Sequence, residues 1–260
     1  MLSEKILKGK ARRPKRLVLI RHGESEANKY LNQIIRGEIF SFPPEFAKLR
    51  DWDIKLTPCG REQALATGKY LEKRFGVFDA CFVSPQTRAQ ETFDGIVGGY
   101  VDKAAARAMK SRERLESRLR EKDHGAVNFL SKEETKRFFP HEHERREREG
   151  KVLYRVLGGE SWYDVKDLRV GSFLNSAYRD YPGGTILVVS HSIVLTCFRM
   201  KLERLGEPEI LELIKNKPIE NCGIVVFEAD DGGENDRLAL KEWNTIAYKK
   251  KAPGELQSYY

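Results

Sequence analysis

Two short aliphatic runs, far apart in the chain, each end on a histidine. Leu17-Val18-Leu19-Ile20 leads into Arg21-His22-Gly23, and Thr185-Ile186-Leu187-Val188-Val189-Ser190 leads into His191. An aliphatic run of this length without polar alternation predicts a strand buried on both faces, as in the centre of a parallel sheet. Ligands of open parallel sheets bind outside the carboxyl ends of the strands. With both strands parallel and central, the two imidazoles converge on one pocket, which constrains the fold more than any other feature of the chain.

The remaining punctuation fits an α/β rhythm. A helix is predicted from Glu24 to Leu31, followed by an irregular stretch, Gln33 to Asp53, with Gly37, Pro43 and Pro44. Thr57-Pro58 reads as an N-cap with proline at the first helical position, opening a helix through Phe75. Ala80 to Val83 predicts a second short strand. Ser84-Pro85 repeats the cap-plus-proline signal before a helix from Thr87 to Ile96. A helix around Ser161 to Tyr178 and the turn Pro182-Gly183-Gly184 precede the second histidine strand. Another helix follows, through about Leu205. Gly223 to Glu228 and Arg237 to Trp243 read as a late hairpin about Asp231-Gly232-Gly233. The expected architecture is a three-layer αβα domain with a mostly parallel central sheet. Residues 112–157, densely charged with few periodic aliphatics, are expected to be a lid or insertion outside the core.

Arg21 stands beside the first histidine. Arg88 lies near the start of a helix after a short strand, where its guanidinium and the free helix N–H groups aim at the same sheet edge. Two arginines, two histidines and a helix end describe a site for a tetrahedral dianion.

The chain has 260 residues, enough for one large domain, and carries a formal net charge of +8. That excess is local. Residues 1–16 hold seven bases against Glu4, and the tail 249–260 holds three lysines against Glu255, so residues 17–248 are balanced. The expected organisation is therefore a basic, disordered leader (1–16), one domain (17–248) and a short tail (249–260). The leader could serve as a nucleic-acid or membrane-surface arm or a nuclear-import signal, but it lacks aromatics for base stacking, so no nucleic-acid partner is expected. No apolar run is long enough to span a bilayer, and the leader has no apolar segment of the secretory kind. Cys59, Cys81, Cys197 and Cys222 are widely spaced, which predicts reduced thiols and a cytoplasmic setting.

Residues 17–28, Leu-Val-Leu-Ile-Arg-His-Gly-Glu-Ser-Glu-Ala-Asn, resemble the opening motif of the histidine phosphatase superfamily, in its phosphoglycerate mutase-like branch (branch 1). Further segments are similar in the family's order: Leu56 to Ala64, Phe82 to Thr92, Leu119 to Gly125, Gly158 to Ser161 and Val188 to Ser192. Two departures stand out: Ser192 occupies a position where glycine is usual, and the segment between Asn28 and Thr57 is longer than in compact members.

The resemblance implies that His22 attacks phosphorus as a neutral imidazole, which nearby arginines favour. It implies that Arg21, Asn28, Arg88 and His191 hold the phosphoryl oxygens and that Glu121 protonates the leaving group, with Asp123 and Glu24 as alternatives for that acid. No metal or cofactor is implied. The substrate is a small phosphorylated molecule or a phosphoprotein, and a homo-oligomer is compatible with the sequence. A phosphatase is favoured over a mutase because no basic, proline-rich run follows Glu121. Arg145-Arg146, at a spacing similar to a mutase arginine pair, also fits a helix of i,i+4 ion pairs, and His141 and His143 fit its solvated face. A non-catalytic binding module using the basic arm is a further alternative.

Overall fold

Side chains alternate along a strand, so a strand buried on both faces must feed two separate cores. A computed structural model describes residues 13–230 and 237–248. In chain order its elements are β1 (Arg16–Arg21), α1 (Glu26–Ile35), α2 (Pro58–Phe75), β2 (Ala80–Val83), α3 (Thr87–Gly99), α4 (Lys103–Ser111) and β3 (Glu113–Leu115). There follow α5 (Lys132–Phe138), α6 (Pro140–Glu149), a π-helical segment (Asp164–Val170) running unbroken into α7 (Gly171–Asp180), β4 (Thr185–Ser190), α8 (Ser192–Leu202), α9 (Glu207–Asn216), β5 (Ile224–Ala229) and β6 (Leu238–Thr245).

The sheet order is β3-β2-β4-β1-β5-β6, parallel from β3 through β1 and antiparallel at β5 and β6. Leu17, Leu19, Ile186 and Val188 pack with Phe173, Phe198 and Ile210 on one face. Val18, Ile20, Leu187 and Val189 pack with Leu71, Phe93 and Met109 on the other. Helices therefore cover both faces, giving the expected three layers.

From β1 the chain crosses to β2, beyond β4; from β4 it crosses to β5, beyond β1. The connections leave the β1–β4 pair in opposite directions, which opens a crevice at the carboxyl ends of these two strands. The register pairs Arg21 with Ser190, so His22 and His191 leave the sheet side by side. Close approach at this edge depends on glycine: a Cβ on Gly23 would lie 2.5 Å from the Gly60 carbonyl oxygen.

Several expectations are corrected. Residues 13–16 belong to the fold rather than to a disordered leader: Arg13 donates to the Asp230 carbonyl at 3.1 Å, the Lys15 amide to Gly184, and Arg16 pairs with Glu228 at 2.6 Å. The charged insertion begins later than residue 112, because Glu113–Leu115 adds an edge strand to β2. An edge strand is paired on one side only and tolerates charge. The helix after β2 is capped at Gln86, two residues beyond Ser84, without a side-chain bond from the cap residue. The segment at Ser161–Tyr178 is helical but opens with a π turn. Glu207–Asn216 forms a further helix after α8, beyond the helices that the sequence predicts. The leader before Arg13, the turn Asp231-Gly232-Gly233 and the tail from Lys249 lie outside the described residues. Among the described residues, no helix is long and apolar enough to cross a membrane.

Candidate active site

The site begins where β1 runs out. His22 follows the last paired residue, and its amide donates to the Ser190 carbonyl at 2.8 Å. Its ring lies 5.0 Å from that of His191, centroid to centroid. Nδ1 of His22 is 2.7 Å from the Gly23 carbonyl oxygen. A carbonyl can only accept, so Nδ1 carries the proton and Nε2 is left with a free lone pair. Burial, then Arg88 and Arg21, hold the His22 pKa well below the ordinary histidine value.

His191 is fully buried, and its Nε2 lies 2.8 Å from Ser84 Oγ. Its Nδ1 is buried with no hydrogen-bond partner among the described residues. Burial, then Arg88 and His22, push its pKa well down as well. Arg21 is anchored by an Nη1 bond of 2.7 Å to the Ile219 carbonyl. Asn28, in the first turn of α1, forms a capping box with Ser25. Its Oδ1 also accepts from Asn221 Nδ2 at 3.0 Å, and the same Nδ2 donates to the His22 carbonyl at 3.1 Å.

The structure separates the three carboxylates weighed for the acid. Glu121 is buried, 6% exposed, and burial pushes its pKa up, opposed by the Lys122 amide and the Arg88 charge. Asp123 is exposed and turns to the Gly125 amide, 2.8 Å away. Glu24 accepts from the Thr57 hydroxyl at 2.6 Å, at the cap of α2. Glu121 is held in place through its backbone: its amide donates to Gln86 Oε1 at 2.7 Å, and Arg169 bonds the Arg120 carbonyl at 2.6 Å. Arg169 is itself paired with Glu160 at 3.0 Å, and Glu160 also accepts from the Asp123 amide.

Arg88 does not stand free in the pocket. Its Nη1 and Nη2 donate to the Asp51 carbonyl at 2.6 Å and to Asp51 Oδ2 at 3.0 Å. Asp51, Gln86 and Arg169 were not legible as site residues, since no periodicity or cap marks them. Ser192 lines a cavity of about 20 Å³ with Trp162 and Trp243.

The arginine pair in α6 divides. Arg145 is bound to Glu142 at 2.9 Å and Glu149 at 3.3 Å, the helical ion pairs expected. Arg146 instead lies in the electrostatic field of Lys122, Lys151 and His124. Burial first, and then cations that include Arg146, lower both lysines to about 8 and push His124 well down. His141 is exposed and sits 3.7 Å from Glu144. Among the described residues, no cluster of three or more His, Cys, Asp or Glu could hold a metal ion.

The chain is 33% identical over 241 residues to the phosphoglycerate mutase-like protein AT74H of Arabidopsis thaliana, covering 85% of this chain and 76% of that one. It is 30% identical over 202 residues to the 2,3-bisphosphoglycerate-dependent phosphoglycerate mutase of Mesorhizobium japonicum, covering 76% and 85%. The fold matches that of the mycobacterial glucosyl-3-phosphoglycerate phosphatase with a TM-score of 0.62 at 22% identity, over 88% of this chain and 98% of that one. The sequence profile of the histidine phosphatase superfamily (branch 1) matches residues 17–245, from the first strand of the sheet through the last, and the chain belongs to that family.

Proposed function

We propose that this chain is a phosphatase that hydrolyses a phosphomonoester through a phosphohistidine on His22. The observation that carries the reading is the His22 ring: buried, neutral, with Nδ1–H committed to Gly23 and the Nε2 lone pair free. A nucleophile needs that lone pair, and the two arginines that keep the ring neutral are the charges a phosphoryl group requires.

In the first step Nε2 attacks phosphorus, and the N–P bond forms as the bond to the leaving oxygen breaks. The electron pair leaves with that oxygen, which takes the proton of Glu121. Arg21, Arg88, Asn28 and His191 hold the other oxygens. In the second step the Glu121 carboxylate takes a proton from water as water attacks phosphorus. Inorganic phosphate leaves and His22 recovers its lone pair. The cations of the site supply the charge stabilisation, so this scheme has no metal step.

A mutase is the second reading, favoured by the buried Lys122 next to Glu121 and by Arg146, whose charge acts on Lys122 and Lys151, a basic group that suits a substrate with a second anionic group, and by mutases among the relatives. The test measures phosphate release from an aryl phosphate and from 3-phosphoglycerate, with and without His22→Ala and with and without a chelator. His22-dependent, chelator-insensitive release and an acid-labile phosphoenzyme are expected. Activity unchanged by His22→Ala overturns the mechanism. Isomerisation of phosphoglycerates without net release selects the mutase.

A further inference from the structure

Asp51, in the segment between Asn28 and Thr57, joins two groups that the proposed reaction uses. Arg88, whose side chain is 6% exposed, donates through Nη1 to the Asp51 backbone oxygen at 2.6 Å and through Nη2 to Oδ2 at 3.0 Å. The same Oδ2 accepts from Gln86 Nε2. Gln86 in turn accepts the Glu121 amide on Oε1, at 2.7 Å. The chain Arg88–Asp51–Gln86–Glu121 thus spans three parts of the sequence, from a 3-10 turn (Asp51–Asp53) through the start of α3 to the loop after β3.

We propose that Asp51 is a positioning residue, which orients the Arg88 guanidinium for the phosphoryl group and, through Gln86, fixes the backbone that carries Glu121. The inference rests on the roles given above to Arg88 and Glu121. A guanidinium has five N–H donors, and Asp51 takes one on each terminal nitrogen, leaving three for a ligand in a fixed plane. Without the Asp51 carboxylate the buried Arg88 keeps its bond to the backbone carbonyl but loses its charged partner and the second contact that fixes the plane of the guanidinium.

Asp51 also acts by charge. Lys122, Arg88, Arg169 and Asp51 face Glu121, with the Cys197 thiol nearby, and among these Asp51 is the one that favours the protonated acid. Orientation and charge can be separated. Both side-chain bonds to Asp51 end on one oxygen, so the amide oxygen of Asp51→Asn can accept both while the charge is gone.

The experiment uses the full chain, inorganic phosphate as the binding probe and an alkyl phosphate for turnover, with thermal melts to check folding. Asp51→Ala should weaken phosphate binding by about tenfold or more, the cost of losing a hydrogen bond to a charged group. Asp51→Asn should stay within about threefold of wild type in binding, since its hydrogen bonds persist. In Asp51→Asn the alkaline decline of kcat should move to lower pH, because Glu121 loses its like-charged neighbour, a shift that a merely structural role does not produce. Wild-type phosphate affinity in Asp51→Ala, or an unmoved alkaline limb in Asp51→Asn, overturns the proposal. A wild-type protein without His22-dependent turnover overturns the functional reading instead, while the phosphate-binding arm still tests Asp51.

Discussion

The rings of His22 and His191 stand 5.0 Å apart, at the ends of two parallel strands whose last residues, Arg21 and Ser190, are paired. Burial, reinforced by Arg88, keeps both rings neutral and their pKa values well below the ordinary range. In the unfolded chain both titrate near the ordinary value of about 6.5. Below that pH the unfolded chain takes up protons that the folded chain refuses. The contribution to stability is complete above about pH 6.5 and is lost as pH falls, at about 1.4 kcal/mol per pH unit for each such ring. Denaturant unfolding between about pH 7.5 and about pH 5 checks this. His22→Gln should flatten the slope by about one histidine's worth, and an unchanged slope contradicts a neutral His22 in the native state.

Glu121 has the opposite task, holding a proton at a pH where an exposed glutamate would lose it. Burial pushes its pKa up, so the acid form persists below that raised value and is lost as pH rises through it. The first-turnover rate should decline on the alkaline side, and Glu121→Gln should remove that limb. With an alkyl phosphate, Glu121→Gln should slow the first turnover by about 10²–10⁴-fold. An aryl phosphate with an acidic phenol needs no proton on its leaving group and should lose far less. Equal losses on the two substrates would assign the general acid elsewhere.

What the sequence disclosed follows from what local pattern encodes. Leu17–Ile20 and Thr185–Ser190 are unbroken aliphatic runs because two cores claim their alternate residues, and Thr57-Pro58 announces α2 because the cap and the first helical residue are adjacent. Glu113–Leu115 was hidden because an edge strand is exposed and here carries charge. Ser84 carried a cap signal but bonds His191, a partner more than a hundred residues away. Asp51, Gln86 and Arg169 join the site through bonds across the fold, Arg88 to Asp51, Glu121 to Gln86 and Arg169 to Arg120, each spanning 35 residues or more. Such pairings exist only once the chain has folded.

Ser84 supplies the one hydrogen bond found for the His191 ring among the described residues, Oγ to Nε2 at 2.8 Å. Ser84→Ala leaves a fully buried imidazole with both nitrogens unsatisfied, which should cost about 1–3 kcal/mol of stability. It also frees the choice of tautomer, so phosphate binding should weaken. Ser84→Thr retains the hydroxyl and should recover most of the binding. Calorimetry with inorganic phosphate and denaturant unfolding read the two effects, and phosphate affinity untouched by Ser84→Ala would detach His191 from the ligand.

Gly60 and Gly98 turn the same substitution into opposite outcomes. Replacing a helical glycine by alanine gains up to about 1 kcal/mol from backbone propensity. At Gly98, near the end of α3, the nearest atom to a new Cβ is Leu65 Cδ1 at 3.8 Å, an ordinary contact, so Gly98→Ala should stabilise by a fraction of that gain. At Gly60 the new Cβ falls 2.1 Å from the Glu24 carbonyl oxygen and 2.8 Å from its amide nitrogen, and neither backbone atom can move without the loop. Overpacking of this kind costs about 1–3 kcal/mol, more than propensity returns, so Gly60→Ala should lower the melting temperature. Glu24 is two residues from His22, and displacing it disturbs the Nδ1 bond to Gly23 that sets the tautomer of the nucleophile. Turnover should therefore fall in Gly60→Ala and stay at the wild-type level in Gly98→Ala. Full activity in Gly60→Ala would mean that the close approach of α2 to the end of β1 does not hold His22 in place.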